Sequence, residues 1–269
     1  MTAAFTSDPR LATAARSLRE DGHAVLPGLM PRERVEAMRQ ALDAAFDAAA
    51  PELLHSKLPR WLAPDLEVSG TGLVFHQLLG RVPALADGLV HPLAHALMRE
   101  VLGEGVYLEF VGAVVCDRSR PFFEWHHHVG GIDDELARRQ GRLPAGQRPE
   151  RVAMLIYLDE TGPGLGQLLV DPARRKGPPP HPTDQTSWPG QVAVAGPPGT
   201  VVCLDQVTWH AVTAREVEGL RRFVGLWFAA ADAPAAEGVD RSLAVLQADD
   251  PALAAVLAAR PERRAGASA

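Results

Sequence analysis

The hydrophobic positions change their period near Gly103. Before it they recur every three to four residues. Residues 8–20 read as a short amphipathic helix stopped at Asp21-Gly22, and His23 to Leu26 as a short strand closed by Pro27-Gly28. Pro31 opens a helix to about Ala49, with Val35, Met38, Leu42 and Phe46 on one face. A third helix is predicted from about Pro83 to Leu102, with Leu89, Leu93 and Leu97 on one stripe and Gly103 as its stop signal. After Gly103 short apolar runs alternate with turns. Val106–Val115, Pro121–His128, Arg151–Leu158, Gln167–Val170, Gly199–Leu204, Thr208–Thr213 and Arg222–Ala230 read as strands. Residues 132–140 read as a short surface helix or lid, and a closing helix is expected near Arg241 to Ala259. The Pro/Gly-rich stretch Asp171–Pro198 shows no element, which predicts a lid.

Helices first and strands afterwards predict a β-sandwich or jelly roll behind an N-terminal helical layer. We expect one domain over 1–269: helical layer 1–104, β core 105–230, and C-terminal helix and tail 231–269.

Composition narrows the picture. The chain has 269 residues, 46% of them hydrophobic, enough for a core without staples. Its two cysteines, Cys116 and Cys203, sit in apolar runs and read as small buried hydrophobes, not a disulfide framework. The formal charge of −6 argues against a nucleic-acid binder. The basic clusters Arg174-Arg175-Lys176 and Arg260–Arg264 read as solvated charges. No signal-peptide pattern and no membrane span is expected, so the predicted location is cytoplasmic, as a monomer or homodimer.

The candidate chemistry lies in Trp125-His126-His127-His128. Imidazole is the commonest metal-binding side chain, and on a strand His126 and His128 share one face. Two nitrogen ligands on one strand make half a metal site, while His127 faces the other way. His210 follows an apolar hairpin and is the candidate third ligand. Arg221 opens an apolar strand; pointing inward it needs a partner, and its planar fork suits a carboxylate. Arg222 then points to the opposite face. Phe122, Phe123, Trp61, Trp188 and Trp209 are candidate lining for an apolar pocket, or simply core.

With these residues in place, the chain resembles the phytanoyl-CoA dioxygenase family of non-haem iron, 2-oxoglutarate-dependent oxygenases over about residues 15 to 230. The resemblance is carried by Gly22 to Gly28, His91-Pro92 through Gly103, Trp125-His126, Tyr157-Leu158-Asp159 through Leu168, Asp171-Pro172, and Pro198 to His210. It implies a double-stranded β-helix, jelly-roll or cupin-like, with Fe(II) and 2-oxoglutarate as cofactors and O2 and a small molecule as substrates. It also implies His126 and His210 as ligands and Arg221 as the partner of the cosubstrate's distal carboxylate.

Two positions depart from that pattern. His128 stands where the family places an aspartate, so a carboxylate would have to come from elsewhere, with Asp133 or Asp134 as candidates. Alternatively the site is a three-histidine centre, or a slipped His128-Val129-Gly130 motif resembling halogenating relatives. Val212 stands where a small hydroxyl is common, leaving Thr213 as the candidate cosubstrate contact. Three readings follow: a hydroxylating 2-oxoglutarate oxygenase, a three-histidine or halogenase-like metalloenzyme, and a non-catalytic binding protein on the same scaffold.

Overall fold

The computed structural model describes residues 8–49, 60–128, 148–172, 179–234, 236 and 240–261. Helix α1 (Pro9–Glu20) is capped by Asp8, whose carboxylate accepts from the Arg10 amide; β1 is His23–Leu26. Helix α2 is Arg32–Asp47 and buries Val35, Met38, Leu42 and Phe46, the predicted face. A meander of three four-residue strands comes next: β2 Arg60–Ala63, β3 Leu66–Ser69 and β4 Gly72–Phe75. These strands fall within the segment expected to be helical. A short α3 (Leu78–Arg81) and a 3₁₀ turn (Pro83–Leu85) precede α4, which is Pro92–Leu102. The predicted third helix therefore starts late. His91-Pro92 sets its N-terminus: a residue before proline avoids helical backbone, and the His91 ring accepts from the Leu93 amide as N-cap.

The core strands are β5 Tyr107–Cys116, β6 Phe123–His126, β7 Arg151–Tyr157, β8 Leu168–Val170, β9 Val192–Ala193, β10 Val201–Asp205, β11 His210–Val212 and β12 Arg221–Ala229. They form two antiparallel sheets. The major sheet runs β1-β10-β7-β12-β5-β4-β3-β2 and the minor sheet β6-β11-β8-β9. This is the expected jelly roll, mainly β with helices added. The predicted closing helix is split into Ser242–Val245 and Pro251–Ala258, Pro251 starting the second piece.

Strand alternation divides the core. On β12, Val224, Leu226 and Phe228 face the helices, while Phe223 and Trp227 pack toward the minor sheet. On β10, Val201 and Cys203 face outward and Val202 and Leu204 inward. Strands buried on both faces explain why β5 and β7 read as near-continuous apolar runs. Cys203 is fully buried, which pushes its thiol pKa up to about 12, so it serves as a small hydrophobe.

Two expectations are corrected. The predicted lid, expected to hold no element, instead supplies β9 (Val192–Ala193) to the edge of the minor sheet and packs Trp188 against that sheet's outer face. Trp188 stacks on Trp125 at 4.2 Å, and the Trp125 indole donates to the Gln185 carbonyl. Arg260, assigned to a solvated cluster, is 1% exposed and donates to the carbonyls of Leu108 and Asp240. No helix among the described residues is long and apolar enough to cross a membrane.

Candidate metal and anion site

The minor sheet brings the histidines together. His126 at the end of β6 pairs directly with His210 at the start of β11, and their ring centroids lie 4.1 Å apart. His128 lies just past β6, where its amide donates to the Gln206 carbonyl at 2.7 Å, tying the strand end to the β10–β11 turn. The ligand-capable atoms of His126, His128 and His210 all lie within 4.8 Å of one another. His127 is outside this group; its ring meets Trp209 edge-on at 4.4 Å, on the other side of the strand. Asp133 lies outside the described residues.

The backbone orients two of the three rings. His126 Nδ1 donates to the Glu124 carbonyl at 2.8 Å, and His210 Nδ1 to the Thr208 carbonyl at 2.9 Å. A carbonyl can only accept, so Nδ1 carries the proton and Nε2 keeps its lone pair, the arrangement a metal ligand requires. Burial, reinforced by the neighbouring His126 and His128, holds the His210 pKa well below the ordinary imidazole value. A neutral imidazole is the metal-binding form. The chemistry of this donor set fits a divalent transition-metal ion.

Arg221 is 4% exposed and lies at the first residue of β12, paired with Cys116 of β5. Its side chain faces the space between the sheets. One guanidinium nitrogen donates to Cys116 Sγ at 3.4 Å, and the group lies over the rings of Phe223 and Tyr157, at 5.4 and 5.8 Å from their centroids. The guanidinium interacts with the buried Tyr157 hydroxyl, and its Nε is buried without a hydrogen-bond partner. No described acid pairs with it. Arg222 faces the opposite way, as predicted, and is held by Asp159 and by Asp43 of α2. A buried guanidinium that no described acid pairs could accept an anion. Thr213 lies beside Arg221 in a small recess, where its hydroxyl accepts from the Gln167 amide at 2.8 Å.

A cavity of about 250 Å³ joins these features; its wall includes the three histidines and Arg221. Of the aromatic candidates, Phe123 lines it. Trp188 and Trp209 pack with Trp125 behind the minor sheet, and Trp61 is 59% exposed. Sequence reasoning missed Tyr157, Gln206 and His76, which also line the cavity. Tyr157 could have been found from its inward position on the alternating strand β7. His76 follows β4 and carried no comparable signal.

No protein-family model and no curated protein matches the chain. Solved structures do. HygX from Streptomyces hygroscopicus with nickel and 2-oxoglutarate bound aligns with a TM-score of 0.59 at 15% identity, over 81% of this chain and 86% of that one. The non-heme alpha-ketoglutarate-dependent carbocyclase SnoK from nogalamycin biosynthesis aligns at 0.59 and 19% identity, over 89% and 92%. EctD from S. alaskensis with 2-oxoglutarate and 5-hydroxyectoine aligns at 0.58 and 21% identity, over 82% and 77%. At these identities the shared property is the fold, the jelly roll of these oxygenases.

Proposed function

We propose that this protein is a non-haem iron enzyme that uses 2-oxoglutarate and O2 to oxidise a small organic substrate, most simply by hydroxylation. The observation that carries this reading is Arg221. A buried guanidinium with no acid partner among the described residues, bordering the same cavity as three convergent histidines, is costly unless an anion completes it. HygX and EctD, which share the fold, have been solved with 2-oxoglutarate.

In this reading His126 and His210 hold Fe(II) through Nε2, and His128 takes the position of the family's carboxylate. Arg221 holds the distal carboxylate of 2-oxoglutarate by paired hydrogen bonds, supported by the Tyr157 hydroxyl. When bound, Fe(II) and 2-oxoglutarate supply the oxidising power drawn from O2, with the cosubstrate converted to succinate and carbon dioxide. The remaining work belongs to the chain. Backbone carbonyls fix the imidazole tautomers. Apolar side chains from both sheets exclude water and hold the substrate against the oxidant.

The three-histidine donor set favours a second reading, a metal dioxygenase or halogenase-like enzyme outside the usual facial triad. One experiment separates them. Anaerobically iron-loaded protein is titrated with 2-oxoglutarate and followed for succinate under O2. The first reading expects saturable binding, lost in Arg221→Leu, and succinate formation. Binding that is absent in both proteins leaves the second.

A further inference from the structure

One wall of the cavity, lined by Phe110, Gly112 and Trp227, is shaped by a pair of glycines. Gly112 of β5 and Gly225 of β12 stand directly opposite each other in the sheet register. A Cβ on Gly225 would overlap the ring of Trp227, two residues along on the same face. A Cβ on Gly112 would come 2.7 Å from the Phe110 ring and 2.9 Å from the Phe75 carbonyl. The missing side chains let both rings lie down along the sheet. There they meet edge to face, centroids 5.1 Å apart at 77°.

His76 ends this aromatic shelf. Its ring meets Phe110 edge-on at 5.8 Å and packs on Trp61 at 4.7 Å. Its Nε2 lies 3.1 Å from Glu67 Oε2. An ionised carboxylate only accepts, so in the neutral ring Nε2 carries the proton and Nδ1 remains an acceptor. Phe110, Trp227 and His76 all line the cavity on the major-sheet side, while the metal-site histidines come from the minor sheet. No described aspartate or glutamate lines it, and Arg221 is its one described arginine.

We infer that this shelf is a substrate subsite for an uncharged planar ring, aromatic or conjugated, bearing a hydroxyl that donates to His76. The inference rests on reading the cavity as the substrate chamber. A flat ring gains edge and face contacts from Phe110 and Trp227 beyond the burial of its area. Glu67 is a positioning residue that holds the His76 ring and its tautomer.

The test is calorimetric titration of the full chain as purified, without added metal or 2-oxoglutarate, using 2-naphthol, its saturated analogue decahydro-2-naphthol, and naphthalene. 2-Naphthol should bind, and the saturated alcohol about tenfold more weakly. Trp227→Leu, or Phe110→Leu should the first fail to fold by circular dichroism, should weaken 2-naphthol about tenfold. His76→Phe should cost 2-naphthol about tenfold through the lost acceptor while leaving naphthalene unchanged. Equal affinity for the saturated alcohol, or unchanged 2-naphthol affinity in the folded variants, overturns the subsite. Failure to bind 2-naphthol in a protein that still takes up Fe(II) and 2-oxoglutarate overturns the subsite alone. Binding of 2-naphthol by a protein that, when offered Fe(II) and 2-oxoglutarate, takes up neither overturns the oxygenase reading alone.

Discussion

His126 and His210 stand opposite each other across the β6–β11 pair, each with Nδ1 bound to the carbonyl two residues before it. The same local geometry recurs on two strands far apart in sequence. Both rings are oriented by their own backbone before any ligand arrives, so strand pairing alone sets the distance between them.

Removing one of these rings should remove the metal. Losing an outer-shell partner costs about 10–100-fold in metal affinity, and losing a ligand should exceed that. His210→Ala and His128→Ala are each expected to fall below stoichiometric iron by elemental analysis. His127→Ala should retain it. Full iron in His128→Ala would exclude His128 as a ligand.

Arg221→Leu should separate stability from cosubstrate binding. In the absence of an anion the variant removes a buried charge that no described acid pairs, so its melting temperature should equal or exceed that of the wild type. Added 2-oxoglutarate should raise the melting temperature of the metal-loaded wild type and leave the variant unmoved. Scanning fluorimetry measures both. A stabilising shift that persists in the variant counts against the assignment.

Gly225→Ala should be costly because of one neighbour. The new methyl overlaps the Trp227 ring, and overpacking of this kind costs about 1–3 kcal/mol. In a Trp227→Leu background the same substitution should lose most of its effect. Urea denaturation of the four proteins gives the coupling, and strict additivity would show that the ring is not the obstacle.

Glu109 and Arg151 form an ion pair in which the side chains are 2% and 3% exposed, with Nε to Oε2 at 2.9 Å. Arg151 also donates to the Pro234 carbonyl. Glu109→Leu alone strands a buried charge and should cost about 3–5 kcal/mol. Adding Arg151→Met should recover much of that loss in the same denaturation assay.

Two histidines, the N-cap His91 of α4 and His95 within it, should make stability fall in acid. Burial lowers the pKa of His91, with the Arg10 charge adding to it, and burial likewise lowers that of His95. His91 must stay neutral at Nδ1 to cap the helix. In the unfolded chain both titrate near the ordinary value of about 6.5. Below that pH, down to their lower folded values, the unfolded chain binds more protons and stability drops; above it neither group contributes a slope. His91→Asn keeps a capping side chain and removes one titration, so its urea midpoint should fall less between pH 7 and 5. An identical fall in both proteins would contradict this.

The elements most legible in the chain were those whose stability is local. The buried stripe of α2, the stop of α1, and the apolar runs of β5, β7, β10 and β12 sit where the pattern predicts. The meander β2–β4 was not legible. Its strands are four residues long at the edge of the sheet, and Trp61 within it is exposed; its order comes from pairing with β5. Arg260 misled for the opposite reason: a charge in a tail reads as solvated until the carbonyls of Leu108 and Asp240 are brought around it.

The sequence by itself determined which face each functional side chain takes. Alternation along β12 turned Arg221 inward and Arg222 outward, and Trp125 and His127 flank His126 on the far side of its strand. Only the tertiary structure decided what those faces meet. The convergence of His126, His128 and His210, the absence of a described acid beside Arg221, and the glycine pair beneath Phe110 and Trp227 all arise from strands distant in the chain. The physical reason is that a two-residue period is a property of neighbouring dihedral angles, whereas a site is a property of register and sheet packing, which no local period encodes.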